Sequence, residues 1–113
     1  MAWETSEPAA RERARRGGRP LLVWVRAEWA VSALEMERTT WSDPRVLEAA
    51  RPFVALRLDV TSAEGDAERY AERYQVTGMP TTVLIDARGN RVAGLTGYQD
   101  AALLAAALRS ASE

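Results

Sequence analysis

The stretch Leu21–Val25 is a continuous apolar run bounded by Gly17-Gly18-Arg19-Pro20, and it constrains the fold more than any other feature of the sequence. The run is too short for a helix of its own. Because it does not alternate, it predicts a strand buried on both faces, as in the centre of a parallel or mixed sheet. The chain then passes through Arg26–Trp29 into a helix that we predict to begin near Ala30. This arrangement places the helix N-terminus, with its free N–H groups, at the carboxyl edge of the sheet.

Apolar periodicity and capping signals place the other elements around this strand. The predicted order is helix, strand, helix, helix, strand, helix, strand, strand, helix, which indicates an α/β domain with a mixed sheet. Residues 1–17 are expected to form a lead-in and first helix, and residues 18–113 the main part of a single domain. The lead-in residue Trp3 is expected to pack on the domain. The later strands are predicted at 53–60, 82–85 and 91–95, and the later helices at 31–38, after Asp43, through Ala67, Tyr70, Ala71 and Tyr74, and at 100–110.

Two of these helices have predicted buried faces. In the helix at 31–38, Val31 and Leu34 share one side, whereas Glu35 and Glu37 are expected to face water. The last helix is expected to face the sheet with Leu103, Leu104, Ala107 and Leu108.

The composition excludes several classes of function. The formal net charge is −1, so neither nucleic acid nor an anionic membrane surface is an expected partner. The chain has no histidine and no cysteine, which excludes a disulfide, a zinc–thiolate site and a thiol nucleophile, and we expect no metal and no cofactor. No apolar run approaches the ~20 residues that cross a bilayer, and no signal-peptide pattern precedes Pro20. We therefore expect no direct membrane contact. We also expect a monomer.

Two segments resemble signature motifs of the thioredoxin-like family. Ala27–Ala33 is similar to the segment A-[ED]-W-C-x-x-C, with alanine at both cysteine positions, and Val76–Thr82 is similar to the V-x-G-x-P-T loop that carries a cis-proline in the family. Thr39–Val46 and Leu58–Thr61 resemble the subgroup formed by the C-terminal periplasmic domains of DsbD-type transmembrane thiol:disulfide reductases. The resemblance covers about residues 18–110 and implies a thioredoxin fold, with a central mixed sheet flanked by helices and a cis-proline loop at Pro80.

The resemblance also implies a catalytic site. In the family, a thiolate forms at the helix N-terminus and a second cysteine on the next turn resolves the mixed disulfide. Ala30 occupies the position of the attacking cysteine and Ala33 that of the resolving cysteine. Thioredoxins commonly carry a buried acid six residues before the first cysteine, where this chain has Trp24, so Glu28 is the nearest candidate for an acid.

The family also binds partners in a groove beside this site. The resemblance assigns that groove to Trp29, Met79 and Pro80, where the loop backbone pairs with an extended segment of a thiol- or disulfide-containing protein. It implies a parent that relays reducing equivalents between proteins, as in cytochrome c biogenesis. The implied location is the periplasm, as a domain of a membrane-anchored or exported parent, with the cytoplasm as the alternative.

The same residues have interpretations without function. Glu28 is equally explained as an ordinary loop carboxylate, Trp29 as a core residue, and Pro80 as a trans turn proline. Arg57 and Asp59 alternate with the apolar face of their strand and are expected to form a surface pair.

The paired alanines leave two hypotheses open. In the first, the chain is a thiol:disulfide oxidoreductase domain that is redox-inactive as written because alanine has deliberately replaced both cysteines. In the second, it is a naturally redox-inert binding module that lost its thiols and kept the groove.

Overall fold

The sheet has four strands in the order β2-β1-β3-β4, and the apolar run forms its central strand β1. β1 pairs in parallel with β2 on one side and antiparallel with β3 on the other, and β3 pairs antiparallel with β4. The structure, a computed structural model, describes residues 1–62 and 66–113. The strands are β1 Leu21–Arg26, β2 Val54–Asp59, β3 Thr81–Ile85 and β4 Arg91–Thr96; the helices are α1 Glu7–Gly17, α2 Val31–Arg38, α3 Pro44–Ala49, α4 Asp66–Arg73 and α5 Ala101–Ala111, with a short 3₁₀ helix at Thr40–Ser42.

Local signals explain where several helices begin. Ser6 caps α1 by accepting a hydrogen bond from the Ala9 N–H, and Pro8 lies in the first turn, so α1 begins at Glu7. Asp43 caps α3 in the same way through the Arg45 N–H, as predicted. The element order and the mixed sheet are those predicted from the sequence. Among the described residues, no helix is long and apolar enough to cross a membrane.

Every residue of β1 is buried, so the strand supplies a core on both faces of the sheet. Leu22 and Trp24 face the core formed with α2, α3 and α5. Leu21, Val23 and Val25 face the second core, which α1 and Tyr74 cover. The uninterrupted apolar run is therefore explained by burial of both faces rather than one.

Three tryptophans form an aromatic cluster in the first core. Trp24 is fully buried, and its ring centroid lies 5.7 Å from that of Trp3 and 5.3 Å from that of Trp41. Trp3 and Trp41 meet edge to face at 4.9 Å. The expectation that Trp3 packs on the domain is confirmed by these contacts. We refer to Trp3, Trp24 and Trp41 as the tryptophan cluster.

The segment before α1 continues this contact along the sheet. The Glu4 N–H donates to the Ala55 carbonyl and the Arg57 N–H donates to the Glu4 carbonyl, each at 2.8 Å. These bonds add a one-residue parallel bridge to the outer edge of β2. The lead-in is thus fixed to the sheet at Glu4 and to the core at Trp3.

The predicted buried face of α2 is wrong. In α2, the buried residues are Ala33 and Met36, whereas Val31 is 78% exposed and Leu34 is 41% exposed. Ala33 and Met36 belong to the same core as Trp24, so the helix side that carries them faces the sheet, and Val31 and Leu34 lie on the sides toward solvent.

The predicted face of α5 is confirmed at Leu104 and Leu108, which are buried together with Ala105, and is wrong at Leu103, which is 64% exposed. Ala107 is partly buried against the same core, as predicted. Successive residues of a helix point about 100° apart. A buried face that includes Leu104, Ala105 and Leu108 therefore leaves Leu103 outside it.

We predict that Trp24→Ala lowers the free energy of unfolding by about 3–5 kcal/mol, because it leaves a large cavity in the tryptophan cluster. The matched control is Trp29→Ala, which removes the same side chain from a position that is 63% exposed. Its cost should be below about 1 kcal/mol. Urea unfolding followed by far-UV circular dichroism measures both, and equal costs would contradict this account of the core.

Candidate functional site

Ala30 is the N-cap residue of α2, at the carboxyl edge of the sheet. Its backbone is extended, with φ −92° and ψ 106°, and its carbonyl accepts the N–H groups of Ala33 at 3.0 Å and Leu34 at 3.4 Å. No side chain caps this end of the helix, since alanine carries no acceptor. The N–H groups of Val31 and Ser32 consequently have no acceptor within the part of the chain that the structure describes. Ala30 is 7% exposed and Ala33 is fully buried.

The loop after α4 carries a cis peptide bond between Met79 and Pro80, as the motif resemblance implies. Pro80 directly precedes β3, whose residue Thr81 pairs with Val25 near the end of β1. Continuing this register by one residue brings Pro80 to the same edge of the sheet as the start of α2. The Pro80 carbonyl accepts the Gly97 N–H at 2.7 Å, which joins the loop to the end of β4.

Unlike the Pro80 carbonyl, the backbone N–H and carbonyl groups of Met79 make no hydrogen bond to the backbone of the described residues. The Met79 side chain is partly buried and packs against both cores.

Trp29 lies on the surface rather than in the core. Its side chain is 63% exposed, and its indole N–H donates to the Thr61 carbonyl at 3.2 Å. The preceding residue, Glu28, donates its N–H to the Thr61 hydroxyl at 2.9 Å and exposes its carboxylate. Thr61 thus holds the turn between β1 and α2 through both residues. Glu28 is exposed on this turn and therefore does not take the place of a buried acid beneath α2.

The position of the family's buried acid is occupied by Trp24 in the tryptophan cluster. Trp24 lies opposite Thr82 in the β1–β3 pairing, and both side chains are fully buried. The Trp24 indole N–H and the Thr82 hydroxyl have no hydrogen-bond partner among the described residues. Neither group can serve as a proton acceptor in the way a carboxylate does.

A buried guanidinium lies close to this edge of the sheet, and sequence reasoning missed it. Arg26, the last residue of β1, is 3% exposed and binds two carboxylates: Glu37 at 2.6 and 3.1 Å, and Asp59 at 2.5 Å. Arg57 binds the second oxygen of Glu37 at 3.2 Å. The predicted Arg57–Asp59 surface pair is therefore wrong, because each residue pairs with another partner. The missed signal was an arginine directly continuing a fully apolar strand, since a buried arginine requires a carboxylate.

The ionisation of this network follows from its contacts. Burial lowers the pKa of Arg26, but the hydrogen bonds to Glu37 and Asp59 outweigh burial and hold that pKa above its ordinary value. Burial raises the pKa of Asp59, but hydrogen bonds from Thr61 and Arg26 outweigh it and hold the pKa of this carboxyl below its ordinary range. The expectation that Glu37 simply faces water is wrong, because Glu37 is held between two guanidinium groups.

The family follows from these features together with the comparison of the whole chain. Residues 8–112 match the family model described as a thioredoxin-like domain. The chain belongs to this family, and its fold is the thioredoxin fold.

Within the family, the chain is similar to proteins named thiol:disulfide interchange protein DsbD. It is 38% identical to the one from Ralstonia nicotianae over 95 residues, which cover 83% of this chain and 16% of the relative. It is 37% identical to the one from Salmonella paratyphi A over 93 residues, which cover 80% of this chain and 16% of the relative. The chain thus spans about 16% of the length of these relatives.

Solved structures show the same fold. The oxidised C-terminal domain of Neisseria meningitidis DsbD superposes with a TM-score of 0.79 at 20% identity, covering 98% of this chain and 100% of that one. A thioredoxin from Thermus thermophilus superposes with a TM-score of 0.83 at 26% identity, covering 97% of this chain and 87% of that one. The fold therefore extends over nearly the whole chain.

We predict that Asp59→Asn lowers the free energy of unfolding by about 1–2 kcal/mol at neutral pH, because it leaves the buried Arg26 with one carboxylate. The pKa of Asp59 in the folded state lies below its unfolded value of about 3.9. Its ionised form therefore stabilises the fold fully above about pH 4, and this contribution disappears as the pH falls through the folded-state pKa.

Urea unfolding of wild type and variant at pH 7 and at about pH 3 measures this dependence, and the difference between the two proteins should shrink at low pH. Glu68→Gln, on the exposed side of α4, is the control and should cost little at either pH. A difference for Asp59→Asn that is independent of pH would show that its charge does not stabilise the fold.

Proposed function

We propose that this chain is a thiol:disulfide interchange domain of the DsbD type that keeps the partner-binding groove and lacks the two thiols that transfer electrons. The observation that supports this is the position of Ala30, at the uncapped N-terminus of α2 and at the same sheet edge as the cis-proline loop. Ala30 and Ala33 have the spacing of the two cysteines of the family, but a methyl group has no lone pair and cannot attack a disulfide. As written, the chain is redox-inactive.

The chemistry of a cysteine pair at these positions can be stated step by step. The thiolate at position 30 attacks one sulfur of a partner disulfide, forming a mixed disulfide and releasing the other partner sulfur as a thiolate that takes up a proton. The thiol at position 33 then loses its proton and attacks the sulfur at position 30. The partner leaves as a dithiol and the domain as a disulfide, with two electrons transferred.

The helix end favours the first step. The free N–H groups of Val31 and Ser32 and the positive end of the α2 dipole stabilise a negative charge at position 30. Such surroundings lower a cysteine pKa from about 8.5 into the range of roughly 3.5 to 7.5. Without a carboxylate at position 24, deprotonation of the resolving thiol depends on solvent or on a more distant acid.

Partner binding requires no thiol. We assign it to the groove formed by Trp29, Met79 and Pro80, where the free backbone groups of Met79 would add an extended partner segment by strand pairing. The exposed Trp29 ring, fixed through Thr61, would form one wall. The partners proposed are thiol- or disulfide-containing proteins, and the parent would relay reducing equivalents to them in the periplasm.

A second candidate is favoured by Trp24. This residue fills the position of the buried acid with a side chain that two further tryptophans contact. A core adapted in this way to the absence of the acid supports a naturally redox-inert binding module, whereas replacement of two cysteines alone would leave the acid in place. The native codons at positions 30 and 33 distinguish the two candidates, because cysteine codons there establish the first.

We predict that Ala30→Cys together with Ala33→Cys restores thiol–disulfide exchange. The rate of reaction with a chromogenic disulfide, measured against pH, gives the pKa of the thiol at position 30, which should lie well below about 8.5. Ala30→Ser with Ala33→Ser is the matched control, since it changes polarity at the same positions without adding a nucleophile.

The double-cysteine protein must retain the wild-type circular dichroism spectrum for the result to count, and Ala30→Cys alone provides a second variant in which the pKa can be measured. A folded protein whose thiol has an ordinary pKa and does not reduce the disulfide would refute the proposal for position 30.

A further inference from the structure

A cleft of about 300 Å³ lies between α1 and the turn that joins β3 to β4. It opens at the Leu21 end of β1, whereas the site at Ala30 follows the other end of this strand. A six-residue strand spans roughly 20 Å. The cleft is therefore separate from the proposed partner groove, and the inference drawn from it does not depend on the proposed function.

The floor of the cleft is apolar. Ala14 contributes from α1, Leu21 from β1 and Ile85 from the end of β3. These three side chains belong to the second core and keep 7%, 3% and 8% of their surface exposed. The rigid sheet thus supplies a floor against which a hydrocarbon chain can pack.

The rim carries an excess of positive charge. Arg88, on the turn, makes no side-chain hydrogen bond or ion pair with any residue that the structure describes. Arg19 donates only to backbone carbonyls, among them that of Phe53 at 2.7 Å, so no carboxylate neutralises its charge. Asp86, the carboxylate that lines the cleft, accepts the backbone N–H groups of Arg88 and Asn90 with one of its oxygens.

The wall formed by α1 adds to this excess. Arg15 binds Glu12, but Arg16 binds the same carboxylate, so one negative charge serves two guanidinium groups. Arg11, also on this wall, donates to the Tyr74 hydroxyl and pairs with the Glu7 carboxylate at 3.7 Å, so its charge is partly neutralised. The cleft is consequently basic in a chain whose formal net charge is −1.

We propose that this cleft binds a small organic carboxylate with an apolar chain. The apolar floor takes the chain, and the guanidinium group of Arg88 at the rim takes the carboxylate, which its planar fork matches. The volume lies at the lower limit of ligand pockets, about 300 Å³, so a medium-chain acid fits better than a larger molecule. The charge of Arg88, together with that of Arg19, selects against a neutral ligand of the same length.

Octanoate is a suitable probe, titrated into the ¹⁵N-labelled chain while amide shifts are followed. We expect saturable shifts at Ala14, Leu21 and Gly89, with a Kd on the order of 0.1–1 mM. Acetate tests the carboxylate alone and 1-octanol tests the apolar chain alone, and both should bind at least about 5-fold more weakly.

Arg88→Glu should weaken octanoate binding by about 10-fold, because it places a negative charge where the carboxylate binds. The matched control is Arg109→Glu on α5, which changes the net charge equally and should bind like wild type. If Arg88→Glu perturbs the fold, Arg88→Gln is used instead, because it removes the positive charge without adding a negative one. The proposal is overturned if octanoate gives no saturable shifts, if 1-octanol binds as tightly, if the shifts map to Trp29 and Pro80, or if a folded Arg88 variant binds as well as Arg109→Glu.

Discussion

The structure depends on β1 having a strand neighbour on each side and a helical layer on each face. Its parallel pairing with β2 and antiparallel pairing with β3 satisfy its backbone, and its side chains supply both cores. Both edges and both faces of β1 are covered along its length. The chain that follows β1 therefore reaches the surface at the carboxyl edge of the sheet. The start of α2, which follows β1, and the loop at Pro80, which precedes β3, lie at that edge because β1 and β3 pair antiparallel. The candidate site is therefore a consequence of the central strand's position.

Much of the fold could be predicted from the sequence because its signals are local. The apolar run gave β1, Asp43-Pro44 gave the start of α3, and the motif at Val76–Thr82 gave the cis bond before Pro80. Helix phase was harder, as Leu34 and Leu103 show. Both are large apolar residues at positions with helical spacing, yet both are exposed, whereas Ala33 and Ala105 are buried. Hydrophobicity alone does not reveal how closely a helix approaches a sheet, and small residues set that distance.

In the candidate site, too, features with a local sequence signal could be predicted and features that depend on distant residues could not. The positions of Ala30 and Ala33 relative to α2 could be predicted, because the motif Ala27–Ala33 directly follows the apolar strand and resembles a family segment at the start of a helix. The partners of Arg26 could not, because Glu37 and Asp59 come from two other elements and meet only in the folded chain. The expected Arg57–Asp59 pair rested on strand alternation, which shows which residues share a face but not which neighbour each one binds.

The bridge between Glu4 and β2 has a consequence for how the domain behaves towards other copies of itself. A sheet has two edge strands, and the unpaired backbone groups of each can form hydrogen bonds with a strand of another molecule. Here the segment before α1 covers part of the β2 margin, and Trp3 anchors that cover in the interior. Loss of the first few residues would therefore expose the backbone groups at the edge of β2, favour pairing between copies of the domain and lower its solubility.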